Sequence, residues 1–327
     1  MSAREETLAR LAAIPHLTVL TDVPLARYTR FGIGGPADIF AETGSDEAFA
    51  LALAEARASG LDYLVIGGGT NLIVADEGYR GIVLRYMADR IVASGERIMV
   101  EAGAVLQDLV DFANERGLKG VETLAGIPGS VGAAIYGNAG AYGHSLSERV
   151  HHVRFYDGER VRTFTQAECE FEYRESIFKR NKDWVIFSAE LHMLRANAAE
   201  LKKISADIVA VRNEKFPVTM KCAGSIFKNL LLAELPPEAA AHVPPNVVRE
   251  GKVPAAYFLE QVGAKGMRLG DIHVADYHAN LIYNGGSGSA ADLCAIIDEL
   301  KGRVRRRFAL ELEEEVQYVG FSCGALP

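Results

Sequence analysis

The sequence predicts an α+β protein of more than one packed unit. Strand and helix patterns are mixed along the first two thirds of the chain, and a long helical pattern followed by a proline-rich stretch marks a change of organisation after about residue 198. With 327 residues and 49% hydrophobic side chains, the chain can bury the cores of two or three units.

The elements follow in order. Ser45 is placed to cap a helix beginning Asp46-Glu47, with Phe49, Leu51 and Leu53 among its alanines and Gly60 placed to end it. DYLVIGGG (62–69) reads as a strand entering a loop. The stretch from Gly81 to Gly103 is β-rich, in IVLRY, RIVAS and RIMVEAG; Val105 to Arg116 then reads as a helix, with Val105, Leu109, Val110 and Ala113 on one face and Gly117 as its stop. Between His151 and Leu194 strands return, in VRFYDG, VRTFT and WVIFSAELHML. A helix from Ala199 to Asn213 is predicted to bury Leu201, Ile204, Ile208 and Val211 and to open a new unit, with Pro217 past its end. Leu230 to Val253, with Pro236-Pro237 and Pro244-Pro245, reads as a mobile surface insertion. A last helix starts after Ser289, carries Asp292 near its start, and presents Leu293, Ile296, Ile297, Leu300 and Val304 as its apolar stripe. The closing strand, LELEEEVQYVG, places Glu311, Glu313 and Glu315 on one face by alternation.

Composition narrows the function classes. A net charge of −8 argues against a nucleic-acid or anionic-membrane surface, and the local cluster Arg303, Arg305, Arg306 and Arg307 suits the C-terminal end of a helix dipole. Cys169, Cys222, Cys294 and Cys323 are scattered without metal-ligand spacing, which fits reduced structural thiols and no bound metal. No apolar run reaches the ~18 residues of a membrane span, and the start, MSAREETLARLAAIPHL, lacks a signal-peptide core. A cytoplasmic protein is expected.

Chemistry concentrates in the glycines. GIPGSVGAAIYGNAGAYG, Gly126 to Gly143, holds six glycines and no charged residue, which calls for unusual dihedrals or a close approach to bare backbone. GIGGPA (32–37) satisfies the letter of a dinucleotide pattern, but Pro36 and the strand-like ADIFAE follow it, where a Rossmann turn needs a helix. GGGTNL (67–72) ends an apolar strand: it is either a tight turn or a nest of backbone N–H groups, with Thr70 and Asn71 as neutral donors, suited to a pyrophosphate.

Taken together, FGIGGPA, VIGGGTNLIV, LAGIPGSVGAAIYGNAGAYG, EYRES, AGSIFKN and the terminal LExEV resemble, in order and context, the UDP-N-acetylenolpyruvoylglucosamine reductase family, MurB, from Phe31 to Gly320. The resemblance implies a vanillyl-alcohol-oxidase (PCMH) type FAD-binding domain over 27–196, in two α/β subdomains of about 1–85 and 86–196. A substrate domain over 199–314 and a terminal strand and tail over 315–327 would follow. It implies NADPH- and FAD-dependent reduction of an enolpyruvyl ether of a UDP-sugar to UDP-N-acetylmuramate, in peptidoglycan and cell wall biogenesis. Flavin-holding residues would be Gly67, Gly68, Gly69, Thr70, Asn71, Leu72, Gly126, Ile127, Pro128, Gly129, Gly132, Asn138, Gly140 and Ala141. None of these is a histidine or cysteine, so the FAD is expected to be non-covalent.

The same resemblance assigns the chemistry. Arg174 in EYRES would polarise the substrate carboxylate, a task for a permanently charged two-pronged donor; without the resemblance, an ordinary surface ion pair is the preferred reading. Ser225 in AGSIFKN would give a proton to the α-carbon, with Lys228 as a candidate to resupply it; otherwise it is a turn serine beside Gly224. Glu315, chosen over Glu313 by the register of LExEV, would stabilise or protonate the enol, its pKa raised for that task; otherwise it is one exposed glutamate among several. Lys228, Asn229, Lys265, Arg268, His278 and Asn280 are candidate substrate-binding residues, the last four in elements that would contact the nucleotide diphosphate or pack beside the site. The chain resembles the shorter form of the family, without a tyrosine-bearing addition, and departs from it in the insertion after Leu230. A flavin-binding protein without reductase activity, or an FAD-dependent sugar or hydroxy-acid oxidase of the same fold, are the competing classes. A monomer is the simplest expectation, with no nucleic-acid or membrane partner.

Overall fold

The computed structural model describes residues 2–321, so Cys323 and the end of the expected tail lie outside the described residues. The chain forms two compact units, both discontinuous in sequence. The first gathers the chain up to Val23, Ala37–Gly68 and Arg80–Glu214; the second gathers Pro24–Pro36, Gly69–Tyr79 and the chain from Lys215 onward.

The first unit is built on two sheets. One has the strand order Thr18–Pro24, Pro36–Thr43, Tyr79–Tyr86, Tyr63–Ile66, the last two parallel. The other is a five-stranded antiparallel sheet in the order Val161–Thr165, Val150–Tyr156, Val185–His192, Arg97–Glu101, Ile91–Ser94. The helix Asp46–Ala58 begins where the sequence places it, because Ser45 accepts the Ala48 amide at its N-terminus. It buries Phe49, Ala52, Leu53 and Ala56, whereas Leu51 faces solvent. Phe49 meets Tyr86 and Phe187 edge-on, at 5.7 and 6.2 Å between ring centres. Helix Leu106–Glu115 buries Leu106, Leu109, Val110 and Ala113; Val105 is its N-cap and is exposed. An unforeseen helix, Ala3–Ala12, starts on a capping box in which Ser2 and Glu5 satisfy each other's amides.

Helix Ala198–Lys215 departs from its expectation twice. Only Leu201 and Ser205 are buried in it, while Ile204 and Val211 are exposed. It also completes the first unit instead of opening the next. Polar anchoring replaces the apolar stripe: Asn114 Nδ2 donates to Ser205 Oγ at 2.8 Å, and that hydroxyl donates to the Glu122 carbonyl at 3.2 Å, both in the interior.

The second unit centres on the antiparallel strands Arg268–Leu269, Ile272–Val274 and Ile282–Asn284. Residues 221–227 extend them through bridges from Lys221 to Asn284, Ser225 to Leu281 and Phe227 to Glu314. Helix Ala290–Phe308, capped by Ser289, buries the predicted stripe and ends in Arg305, Arg306 and Arg307, of which Arg305 pairs with Glu311 and Arg306 with Glu299. The proline-rich insertion is more ordered than its sequence suggests. Leu230–Leu231 pairs with Lys252–Val253 at its base, Pro237 starts a five-residue helix, and Leu235 and Ala239 are buried in the unit's core. The closing strand is shorter than predicted: only Gln317–Val319 forms a ladder, parallel to Leu72–Val74.

Candidate active site

The glycine loops of the first unit are closely packed. A Cβ on Gly67 would lie 2.9 Å from Ser130 Oγ, and one on Gly68 would lie 3.3 Å from the Cα of Gly129. A Cβ on Gly132 would lie 2.8 Å from that of Ala102. Part of the glycine requirement read from sequence is therefore the chain's contact with itself. Positive φ accounts for more of it: Gly126 and Gly129 sit at +74° and +120°. Ser130 caps the short helix Val131–Tyr136, the Ile127 amide bonds the Leu124 carbonyl at 3.1 Å, and Gly140–Ala141 pairs with His144–Ser145.

EYRES is a two-residue hairpin fastened to this loop. Glu172 and Glu175 exchange main-chain hydrogen bonds of 3.1 and 3.3 Å, which leaves Tyr173 and Arg174 at the tip, with Arg174 at φ +61°. That left-handed conformation is uncommon for a side chain of this size. Arg174 Nη2 donates to the Gly140 carbonyl at 3.1 Å, and Asn138 Nδ2 donates to the Glu172 carbonyl at 2.9 Å. Lys179 Nζ reaches the Arg174 carbonyl at 2.9 Å and Glu175 Oε1 at 2.6 Å. Asn138 is itself buried at φ +41°, its Oδ1 accepting the Ser147 amide at 3.3 Å. Asn138, which the resemblance gives as a flavin contact, also pins loop to hairpin through these hydrogen bonds.

In the second unit Gly69 sits at φ +63°, and a Cβ there would fall 1.7 Å from the Tyr28 carbonyl oxygen, so this position admits glycine alone. The glycines of GIGGPA answer to the same unit: a Cβ on Gly35 would lie 2.2 Å from the Asp76 carbonyl, and Pro36 opens a strand rather than a helix. Asn71 Nδ2 donates to the Glu315 carbonyl at 2.6 Å, and the Gln317 amide donates to the Asn71 carbonyl at 2.9 Å. On its other side Glu315 donates its amide to the Ile226 carbonyl at 2.7 Å. Main-chain pairing thus places Asn71, Ser225 and Glu315 on neighbouring segments of one unit, whereas Arg174 belongs to the first. Neighbouring glutamates have basic partners: Glu311 pairs with Arg305, Glu313 with Lys228 and Glu314 with Lys301.

The remaining candidates divide. Asn280 is buried, and its amide is committed to one residue: Oδ1 accepts the Phe227 amide and Nδ2 donates to the Phe227 carbonyl, both at 2.9 Å. His278 Nδ1 accepts the Asn280 amide at 3.2 Å; burial, reinforced by the charge of Lys215, pushes its imidazole below the ordinary value. Lys265 pairs with Glu260 at 2.9 Å, Arg268 is exposed in its strand, and Asn229 is exposed beside Lys228.

The loops of the first unit suit a bound FAD. Between Gly126 and Gly143 there is no charged side chain, and the adjoining turns at Gly67–Gly68 and Gly129–Ser130 offer small residues and neutral backbone groups, as a flat cofactor with a pyrophosphate requires.

Comparison with known proteins agrees. Residues 37–163 match the FAD binding domain family, and residues 216–319 match the family described as UDP-N-acetylenolpyruvoylglucosamine reductase, C-terminal domain. The UDP-N-acetylenolpyruvoylglucosamine reductase of Solibacter usitatus is 70% identical over 95% of this chain and its own full length; that of Bacillus subtilis is 33% identical over 92% and 94%. The crystal structure of the Thermus caldophilus enzyme superposes with a TM-score of 0.71 at 28% identity, covering 93% of this chain and 98% of its own. The chain thus belongs to the UDP-N-acetylenolpyruvoylglucosamine reductases, oxidoreductases that join a PCMH-type FAD-binding domain to a C-terminal domain of their own kind.

Proposed function

We propose that the chain reduces UDP-N-acetyl-3-O-(1-carboxyvinyl)-glucosamine to UDP-N-acetylmuramate, with NADPH as hydride donor and non-covalent FAD, as a cytoplasmic step in peptidoglycan precursor synthesis. The glycine loops would hold the FAD, which when bound would supply hydride chemistry at the methylene carbon. Negative charge then gathers on the α-carbon and its carboxylate, and the protein's task is to stabilise that charge and deliver a proton. Arg174 meets the carboxylate with a fixed pair of donors. Ser225 Oγ gives its proton to the α-carbon, and Glu315 stabilises the enol. The glycine loops hold the cofactor through backbone groups, and the second unit carries the groups that bind the UDP-sugar.

The observation that carries this assignment is the main-chain pairing at Ile226, whose carbonyl accepts the Glu315 amide at 2.7 Å and so fixes the segments bearing Ser225 and Glu315 against each other. Anaerobic titration of the yellow protein tests it. NADPH should bleach the flavin, and the enolpyruvyl nucleotide should restore its colour. Bleaching by a sugar or hydroxy acid, with recovery only in oxygen, would show an oxidase instead.

A further inference from the structure

On a regular strand, adjacent side chains leave opposite faces, so the neighbours His151 and His152 should diverge. The strand Val150–Tyr156 is irregular at this point. Against Val185–His192 its register runs from Val150 opposite Leu191 directly to His152 opposite Glu190, which leaves His151 as an inserted residue. Such a bulge re-aims side chains. Here it brings a ring nitrogen of each histidine and a carboxylate oxygen of Glu190 within 4.8 Å of one another. The two rings are 4.0 Å apart, and His151 also stacks on His192 at 3.8 Å. His192 Nε2 lies 2.7 Å from Glu190 Oε1, and Arg97, opposite His192 across the sheet, lies 3.5 Å from the same oxygen. All three candidate ligands are partly exposed, so solvent and solutes reach them.

We propose that His151, His152 and Glu190 form a binding site for a divalent transition-metal ion of the Zn²⁺ type, with His192 holding the carboxylate. Two imidazoles and one carboxylate are a donor set for borderline ions, whereas Mg²⁺ and Ca²⁺ favour all-oxygen shells. Zinc bonds of about 2.0–2.2 Å require the donors to draw together from their present spacing, which rotation of the side chains supplies. Arg97 yields its contact with Glu190 when the ion enters. None of these residues is among those assigned to the flavin, the substrate or the reduction. Its effect is to bridge the strands Val150–Tyr156 and Val185–His192, and a ligand held only by the folded chain stabilises that fold.

The test uses the full-length, flavin-loaded chain without a polyhistidine tag. Zn²⁺ is titrated calorimetrically, Co²⁺ is followed by its visible absorption, and the melting temperature is measured with and without Zn²⁺. One saturable equivalent is expected, with a melting temperature that rises with Zn²⁺ and does not respond to Mg²⁺. His151→Ala, His152→Ala and Glu190→Gln should each weaken Zn²⁺ by more than about 10-fold and abolish the Zn²⁺-dependent rise. Glu190→Gln preserves side-chain shape and serves if a histidine variant folds poorly. Absence of saturable binding, or binding that persists unchanged in the Glu190→Gln and doubly histidine-substituted chains, overturns the proposal.

Discussion

The guanidinium of Arg174 donates to the main-chain carbonyl of Gly140 at 3.1 Å, so the arginine proposed to meet substrate and the loop proposed to hold flavin share one frame within the first unit. Asn138 repeats the connection one turn away through the Glu172 carbonyl. A guanidinium is permanently charged and holds its donors in a rigid fork, one of which is set here by the Gly140 carbonyl.

Arg174→Lys is therefore expected to lower kcat by about a hundredfold, because a lysine ammonium cannot keep the Gly140 bond and also present two donors at fixed spacing. The backbone at φ +61° strains lysine as much as arginine, so the melting temperature should hardly move. Turnover equal to the parent's would remove Arg174 from the carboxylate-binding role.

Ser225→Ala should separate the half-reactions. Flavin reduction by NADPH is expected at nearly the parental rate, while reoxidation by the enolpyruvyl nucleotide slows by roughly 10²–10⁴, the range lost with a positioned proton donor. Stopped-flow absorbance at the flavin band reads both steps. Equal slowing of the two would show that the substitution disturbs cofactor binding instead.

What the sequence made legible was local. Ser45 and Ser289 announce their helices because a cap and its amide lie three residues apart. The glycine loops stand out because unusual backbone is written in glycine. Distant causes stayed hidden: Gly69 is required by the carbonyl of Tyr28, and Asn71 is tied to Glu315 across 244 positions. The discontinuity of the units has the same origin, since 24–36 and 69–79 carry no compositional sign that they pack with the chain beyond 214. Helix Ala198–Lys215 misled because its apolar spacing is real, but its anchor is Ser205, a polar residue that periodicity discounts. The bulge at His151 likewise leaves no mark in the sequence, because it depends on the register of the partner strand.

Asn280 offers a stability test. Removing its amide in Asn280→Ala strands the buried N–H and C=O of Phe227, at an expected cost of about 3 kcal/mol. Urea denaturation measures this directly. If Asn280 served only as a substrate contact, the urea midpoint would stay at the parental value while KM rose.

The alkaline limb of stability should report two thiols, the buried Cys169 and the half-buried Cys294. Burial pushes Cys169 up to about 12 and Cys294 also up to about 12, with the charge of Glu168 and of Asp298 respectively adding to the effect. Unfolded thiols ionise near about 8.5, so between that value and the folded ones the native chain binds more protons than the unfolded chain. Stability is then fully present below about pH 8.5 and falls as pH rises through the window. Tyr86 and Tyr318, raised chiefly by burial, extend the fall further into alkali. The urea midpoint should therefore be level from about pH 7 to 8.5 and decline above it, and the slope should be shallower in the Cys169→Ala, Cys294→Ala double variant. An identical slope in that variant would assign the alkaline loss to the groups it retains, Cys222 and the tyrosines, which burial also raises, and a level midpoint through pH 11 in the parent would contradict the raised pKa of both thiols.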